Sequence, residues 1–162
     1  MRPASLGDAE PICAIYNAAI AERRSTFETA PRSAEDFDER IGADRYPFLV
    51  AEVDDRVIGW ADLSPYSARP CYAAIGEASV YVAAESRGRG VGTALAEALA
   101  AEAERRGFHK LLGKLFTDNM ASIRLIERCG FSSVGVHHRH GRLDGEWRDV
   151  MVVERLMDTA LP

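Results

Sequence analysis

The stretch Arg87-Gly88-Arg89-Gly90-Val91-Gly92 joins a strand-like apolar segment, residues 78–83, to a helical segment, residues 93–106. A glycine in a helical turn costs about 1 kcal/mol relative to alanine, so this cluster indicates that backbone N–H groups must stay uncovered. Uncovered N–H groups at a helix start bind anions, and the two arginines add charge suited to a phosphate or pyrophosphate. An ordinary solvated loop is the alternative, and the glycine spacing fits neither a P-loop nor a dinucleotide fingerprint.

The composition predicts one domain, residues 1–162, because a chain of this length buries enough surface for a stable core. Three cysteines without paired spacing suggest neither a disulfide framework nor a zinc site. The N-terminus lacks a signal-peptide pattern and no apolar run is long enough to span a bilayer, so we expect a cytoplasmic protein that does not insert into a membrane. A net charge of −5 argues against nucleic acid as a partner.

The hydrophobic pattern places helices and strands along the whole chain. Capping residues within 5–8 precede a first amphipathic helix, Ser33 begins a short second helix, and Gly59 suggests a bulge in a hairpin turning at residues 54–56. Residues 1–3 are too short for a full first strand. Further helices are predicted at residues 90–106 and 119–129, and strands at 48–53, 57–63, 75–82, 110–116, 131–137 and 147–156. This order predicts an α/β or α+β sandwich with a mixed, largely antiparallel sheet.

Several motifs together resemble the acyl-CoA N-acetyltransferases of the GNAT superfamily, over nearly the whole chain. They are Val80-Tyr81-Val82, the glycine and arginine run, Asn119-Met120-Ala121-Ser122 and Cys129-Gly130-Phe131. Arg87, Gly90 and Gly92 match the superfamily's R/Q-x-x-G-x-G/A loop. Residues 45–52, 77–82 and 145–150 are similar to the phosphinothricin and methionine sulfoximine acetyltransferases of that superfamily.

The resemblance implies a GNAT-like fold and acetyl-CoA as co-substrate. Amides in residues 88–93 would face the pyrophosphate, the Val80–Val82 strand would pair with the pantetheine arm, and Asn119 would hold that arm from the other side. On pattern alone, Val80–Val82 could equally be a plain core strand, and Asn119 a helix cap. The expected acetyl-CoA contacts are Val80, Tyr81, Val82, Arg87, Gly88, Arg89, Gly90, Val91, Gly92, Thr93, Asn119 and Ser122.

Acetyl transfer to an amine needs a group that removes a proton, and Glu77 is the candidate base. Glutamate is poorly suited to a strand interior unless it points into a cavity, and Glu77 matches the base of the resembling subgroup. An edge residue in solvent is the alternative. The Val82 N–H would stabilise the tetrahedral charge. Ile126 stands where the family has a tyrosine or histidine, and Asp144 where the phosphinothricin enzymes have a histidine.

The acceptor site is predicted from residues near Glu77. Arg69, on the loop with Tyr66 and Tyr72, could clamp an α-carboxylate, although a surface arginine with packing tyrosines is an equal alternative. Cys71 is expected to be a buried or idle thiol rather than an acyl-carrying nucleophile, and the segment His137–His140 is not expected to bind a metal. The expected acceptor contacts are Phe27, Tyr66, Arg69, Tyr72, Glu77, Ala78 and Ser79, with no metal ligand.

Three functions remain open at this stage. The first is transfer of an acetyl group to the primary amine of a small amino-acid-like acceptor of the phosphinothricin or methionine sulfoximine type, by direct attack in a ternary complex. The second has a protein N-terminus or a polyamine as the acceptor. The third is an acyl-CoA sensor without turnover, which the lack of an acid at Ile126 permits. The resembling subgroup also implies a homodimer.

Overall fold

The computed structural model of this chain describes residues 1–157, and residues 158–162 of the predicted domain lie outside the described residues. One seven-stranded sheet has the order β1-β2-β3-β4-β5-β7-β6. Only β4 and β5 run parallel, which confirms the mixed, mostly antiparallel sheet. The strands are β1 (Arg2–Pro3), β2 (Phe48–Val53), β3 (Arg56–Pro65), β4 (Ile75–Val82), β5 (Lys110–Phe116), β6 (Ser132–Leu143) and β7 (Glu146–Leu156).

All four predicted helices form, each within two residues of a cap or glycine signal. The short second helix begins after Ser33, whose N–H donates to the Asp36 carboxylate. Gly107, at a φ of 81°, follows the end of the long third helix, as helix C-termini favour. The helices are α1 (Ala9–Glu22), α2 (Glu35–Ile41), α3 (Val91–Arg105) and α4 (Met120–Arg128), with 3-10 turns at Leu6–Asp8, Pro70–Tyr72 and Ala84–Ser86.

Strand β6 is longer than the sequence predicts. The prediction ends it at His137, whereas the strand continues to Leu143 and pairs there with Glu146 of β7. Asp144 and Gly145 both have positive φ, the conformation of a two-residue hairpin turn, and this turn extends the pairing. In the β2–β3 hairpin the irregularity falls between Gly59 and Val57, so the bulge lies next to the predicted glycine.

The helices cover the sheet from both faces. Leu95, Leu99 and Ala103 of α3 pack with Ala61 and Leu63 of β3. On the opposite face, Trp60 packs with residues of α1 and α2 in a cluster that includes Ile12 and Phe37. Because neighbouring residues of a strand point to opposite faces, β3 supplies both clusters, which fixes its register against the helices.

Asp8 ties the N-terminus to the start of α1. Its carboxylate accepts two bonds of 2.8 Å from Arg2 and a bond from the Ser5 backbone N–H, also 2.8 Å. Arg2 also pairs with Glu52 of β2, which anchors β1 at the sheet edge. The Arg2 guanidinium and the Ser5 groups lower the pKa of Asp8, against the opposing effect of burial.

We expect Asp8→Asn to lower the free energy of unfolding at pH 7 by about 1–2 kcal/mol, because Arg2 is partly exposed and keeps Glu52. A carboxyl whose pKa is lowered by folding stabilises the protein above its unfolded pKa of about 3.9. The difference from wild type should therefore shrink as the pH falls below about 4, measured by urea denaturation. Asp55→Asn, in the exposed β2–β3 turn, is the control; a pH-independent difference for D8N would contradict the assignment.

Candidate active site

Strands β4 and β5 separate soon after they meet. They pair only where Ile75, Gly76 and Glu77 face Lys110, Leu111 and Leu112, although β4 continues to Val82 and β5 to Phe116. The N–H of Ala83 bonds to the Ile58 carbonyl on the β3 side. Because backbone direction alternates along a strand, the amides of Val82 and Val80 point toward the gap. The gap therefore presents peptide groups that the sheet does not use.

A groove of about 1040 Å³ runs from the glycine loop along this gap to α4. Gly88 and Gly90 have φ of 74° and 83°, and Gly90 immediately precedes α3. A Cβ at Gly92 would lie 2.6 Å from Leu125 Cδ1, so the absence of a side chain lets α4 approach α3. The expected acetyl-CoA contacts that line the groove are Val80, Tyr81, Val82, Arg87, Gly88, Gly90, Val91, Gly92, Thr93, Asn119 and Ser122.

The two arginines of the loop differ in position. Arg87 lines the groove, donates a 3.0 Å bond to the Val82 carbonyl and forms a 2.9 Å ion pair with Glu22 of α1. Arg89 is exposed and is not among the residues that line the groove, so its contact with acetyl-CoA stays a prediction. The cations that sequence reasoning missed at the groove are Arg24, Arg124, Arg128 and Arg148.

Asn119 caps α4 and also lines the groove. Its Oδ1 accepts a 3.1 Å bond from the Ser122 N–H, and its Nδ2 donates a 3.2 Å bond to the Arg24 carbonyl. The helix-cap alternative is therefore correct for this residue, and the cap leaves the amide at the wall of the groove. Ser122 lies one turn into α4 on the same wall.

A second cavity of about 550 Å³ adjoins the groove. The residues that line both are Ser25, Val80, Tyr81, Asn119, Ser122 and Leu125. Of the expected acceptor contacts, this cavity is lined by Phe27, Glu77, Ala78 and Ser79. Lining residues that sequence reasoning did not single out for this role include Tyr16, Thr26, Lys114 and His140, and Ile126 also lies on the wall. For Lys114, the signal that could have identified it from the sequence is a charged residue within a predicted strand.

Glu77 lies on the cavity wall and is partly buried rather than free in solvent. Its Oε2 is 2.9 Å from Lys114 Nζ on β5, and about a third of the glutamate side chain is exposed. The β3–β4 register sets Glu77, Ser79 and Tyr81 on one face of β4, at alternate positions. Glu77 and Ser79 thus place a carboxylate and a hydroxyl on the cavity wall next to the unpaired edge of β4.

The predicted clamp on the loop after β3 does not reach the cavity. Tyr66 and Tyr72 are exposed with ring centroids 5.6 Å apart, and Arg69 is exposed. None of the three lines the cavity or the groove. Arg45 donates to the Ala73 carbonyl, so this loop is fastened to the segment before β2 rather than across β4.

None of the three cysteines lines this cavity. Cys71 is exposed on the same loop and lines neither the cavity nor the groove. Burial raises the pKa of Cys13, and it raises the pKa of Cys129 to about 11. Within residues 1–157, no cluster of His, Cys, Asp or Glu has a metal-binding arrangement. His137 and His140 instead stack with centroids 4.8 Å apart, across a bulge at which Arg139 has positive φ.

No helix in this same part of the chain combines the length and apolar character needed to cross a membrane.

Known proteins are similar to this chain in sequence and in fold. Residues 13–131 match the model of the Acetyltransferase (GNAT) family. The chain is 34% identical to phosphinothricin N-acetyltransferase of Streptomyces coelicolor, over 96% of this chain and 94% of that protein. It is 31% identical to L-methionine sulfoximine/L-methionine sulfone acetyltransferase of Pseudomonas aeruginosa, over 98% of this chain and 94% of that protein. A crystal structure of a GNAT superfamily phosphinothricin acetyltransferase from Sinorhizobium meliloti in complex with AcCoA superposes with a TM-score of 0.92 at 29% identity, covering 99% and 90%.

Proposed function

The chain belongs to the acetyltransferase (GNAT) family and is an acetyl-CoA-dependent N-acetyltransferase, and on that premise we propose that it acetylates the primary amine of a small amino-acid-like acceptor of the phosphinothricin or methionine sulfoximine type. The single observation that carries this proposal is the cavity that opens beside Glu77, adjoining the groove at Val80 and Tyr81. A volume of about 550 Å³ suits a small molecule.

The groove is the proposed binding site of acetyl-CoA. The pyrophosphate would lie against the amides of the glycine loop at the positive end of the α3 dipole, and the pantetheine arm would pair with the gap-facing peptide groups of Val80 and Val82. Arg87 supports this binding site by fixing the end of β4 through the Val82 carbonyl. The acetyl group would then reach the point where groove and cavity join.

The proposed mechanism is direct attack by the acceptor amine on the thioester. Amines arrive mostly protonated at neutral pH, so Glu77, directly or through a water molecule, would accept the proton before the nitrogen attacks. The Val82 N–H would stabilise the charge on the carbonyl oxygen. Collapse of the tetrahedral intermediate breaks the carbon–sulfur bond and forms the amide as the nitrogen loses its second proton. That proton reaches the departing coenzyme A thiolate through solvent, because Ile126 has no proton to give.

Binding of the acceptor's acidic group is assigned to the cavity itself, because Arg69 lies elsewhere. Lys114 and His140 are basic side chains on its wall, and Lys114 already faces Glu77 at 2.9 Å. An amino acid that brings both an ammonium and an acidic group can interact with Glu77 and with these basic groups at once. A polyamine has no acidic group, so half of this arrangement would be unused.

Gly90→Ala tests the pyrophosphate binding site. Gly90 and Gly107 have φ of 83° and 81°, and a Cβ at either meets no atom within 4 Å, so both alanine variants should lose about 1 kcal/mol of stability. Only G90A alters the proposed phosphate-binding loop, so we expect it to raise the acetyl-CoA Kd about tenfold by calorimetry while G107A leaves it unchanged. Equal affinities in the two variants would remove the loop from the acetyl-CoA site.

Glu77→Gln tests the base. We expect the acceptor kcat/KM to fall about 100-fold below pH 8, where α-amines are protonated, and to fall less at higher pH because the amine then arrives neutral. The acetyl-CoA Kd should stay the same. Glu39→Gln, on the exposed side of α2, is the matched control. A loss that is equal at every pH would contradict a proton-accepting role.

The acceptor class is tested by thiol release from acetyl-CoA with phosphinothricin, methionine sulfoximine, methionine sulfone, spermidine and a peptide with a free N-terminus. Release with the first three, and acetylated product by mass spectrometry, is the expected result. Release with spermidine or the peptide alone would overturn the acceptor assignment. Tight acetyl-CoA binding without release for any acceptor would support the sensor function instead.

A homodimer is the assembly proposed for this enzyme, through the hairpin of β6 and β7. Strand β6 ends the sheet, and residues 132–140 are exposed along both of its faces, including Val134 and Val136. A long exposed edge strand with apolar side chains is rarely left uncovered, and a second copy can pair with it symmetrically.

Sedimentation velocity tests the dimer. Wild type is expected to sediment as a dimer at micromolar concentration and Val134→Glu as a monomer, because a buried carboxylate would disrupt the apolar contact. Val53→Glu, a similarly exposed valine at the end of β2, is the control and should remain dimeric. A monomeric wild type would contradict the assembly.

A further inference from the structure

Asp62 is a buried carboxylate that the mechanism above does not use. It lies on β3 and is fully buried. Arg40 of α2 donates from Nε, at 3.0 Å, and from Nη2, both to Asp62 Oδ2. The Arg40 guanidinium also lies 5.7 Å from the ring centroids of Phe48 and Trp60. Arg40 therefore holds one oxygen of the carboxylate, Oδ2, and makes no hydrogen bond to the other.

The second oxygen, Oδ1, is buried and accepts no hydrogen bond. Native proteins rarely leave a buried carboxylate oxygen unpaired, so this atom requires an explanation. The β3–β4 register sets Asp62 directly opposite Ser79, and Ser64 directly opposite Glu77. Burial raises the pKa of Asp62, whereas the Arg40 guanidinium and, to a smaller extent, the Ser79 hydroxyl lower it.

Ser79 connects this buried carboxylate to the cavity. Its side chain lines the cavity wall, whereas neither Asp62 nor Arg40 does. Glu77 lies two residues earlier, on the same face of β4. A serine hydroxyl has one proton to donate and two lone pairs that accept. The direction in which its proton points decides whether the oxygen offers a donor or an acceptor to a molecule in the cavity.

We propose that Asp62 is a positioning residue for the acceptor amine: when the acceptor binds, the Ser79 hydroxyl donates to the unsatisfied Oδ1, so that Ser79 presents only lone pairs to the cavity beside Glu77. This inference rests on the proposed function. An amine N–H that donates to Ser79 Oγ is held while Glu77 accepts another proton, and the nitrogen lone pair is then directed toward the thioester. No proton passes to Asp62; it only fixes the orientation of the hydroxyl.

Asp62→Asn reverses this hydrogen bond while keeping the shape of the side chain. Arg40 has only donors, so the Asn oxygen faces Arg40 and the Asn NH₂ faces Ser79. Ser79 must then accept, and its proton points into the cavity toward the amine. We expect the acceptor KM of D62N to rise about tenfold while the KM of acetyl-CoA stays unchanged.

A double-mutant cycle with Ser79→Ala distinguishes positioning from a structural role. If Asp62 acts through Ser79, D62N has no further effect on the acceptor KM in the S79A background. If the increases in acceptor KM caused by D62N and by S79A multiply in the double variant, the proposal is overturned. An unchanged acceptor KM in the D62N single variant would also overturn it. Asp8→Asn is the matched control, because Asp8 is also a buried carboxylate bound to an arginine, and it should lose stability without a change in either KM.

If D62N does not fold, Arg40→Lys replaces it in the same cycle. Lysine keeps the charge but cannot hold Oδ2 with two donors, so the carboxylate turns and the acceptor KM should again rise only where Ser79 is present. Persistence of the Arg40→Lys effect in the S79A background would overturn the proposal. Failure of the proposed function gives a different result, because the wild-type enzyme would then acetylate none of the amino-acid acceptors.

Discussion

The early separation of β4 from β5 is the constraint on which the rest of the structure depends. Three paired positions hold the strands together, and beyond them β4 pairs only with β3 and β5 only with β7. The peptide groups of Val80 and Val82 consequently face a gap instead of a neighbouring strand. An edge inside the sheet leaves these hydrogen-bonding groups available to an extended ligand without exposing them at the rim of the molecule.

Contacts on both sides keep the two strands apart. Leu95 and Leu99 of α3 pack on the β3–β4 side, whereas β5 pairs along its whole length with β7. At the open end, Arg87 joins the last carbonyl of β4 to Glu22 of α1. The missing side chain at Gly92 lets Leu125 of α4 pack against α3. The gap is thus held by packing that does not involve the ligand, which lowers the cost of ordering the site on binding.

Carboxylates at the site are already oriented by cations before any ligand arrives. Glu77 faces Lys114, Glu22 faces Arg87, and buried Asp62 faces Arg40. Each pair joins two different elements, so the charges restrain the relative position of those elements as well as each other. Only the Asp62 pair leaves a buried oxygen unsatisfied, and that oxygen faces the strand that lines the cavity.

The sequence by itself determined most of the helices and strands and the glycine-rich turn before α3. Periodicity predicted the bounds of β2, β4 and β5 to the residue, and the glycine run predicted the turn before α3, because these signals depend on neighbours within a few residues. The resemblance to the GNAT superfamily added two predicted site residues, Glu77 as the base and Asn119 as an acetyl-CoA contact. The sequence underestimated β6, whose last three residues, Gly141 to Leu143, pair with β7 across the turn at Asp144 and Gly145.

Only the tertiary structure decided which side chains share a cavity. The loop with Tyr66, Arg69 and Tyr72 is near Glu77 in sequence, yet it packs toward Arg45 and leaves the cavity wall to residues of β5 and β6 such as Lys114 and His140. The pairing of Asp62 with Ser79 likewise follows from the β3–β4 register. Local patterns do not encode these contacts, because they are set by long-range strand register and by the direction in which each loop leaves the sheet.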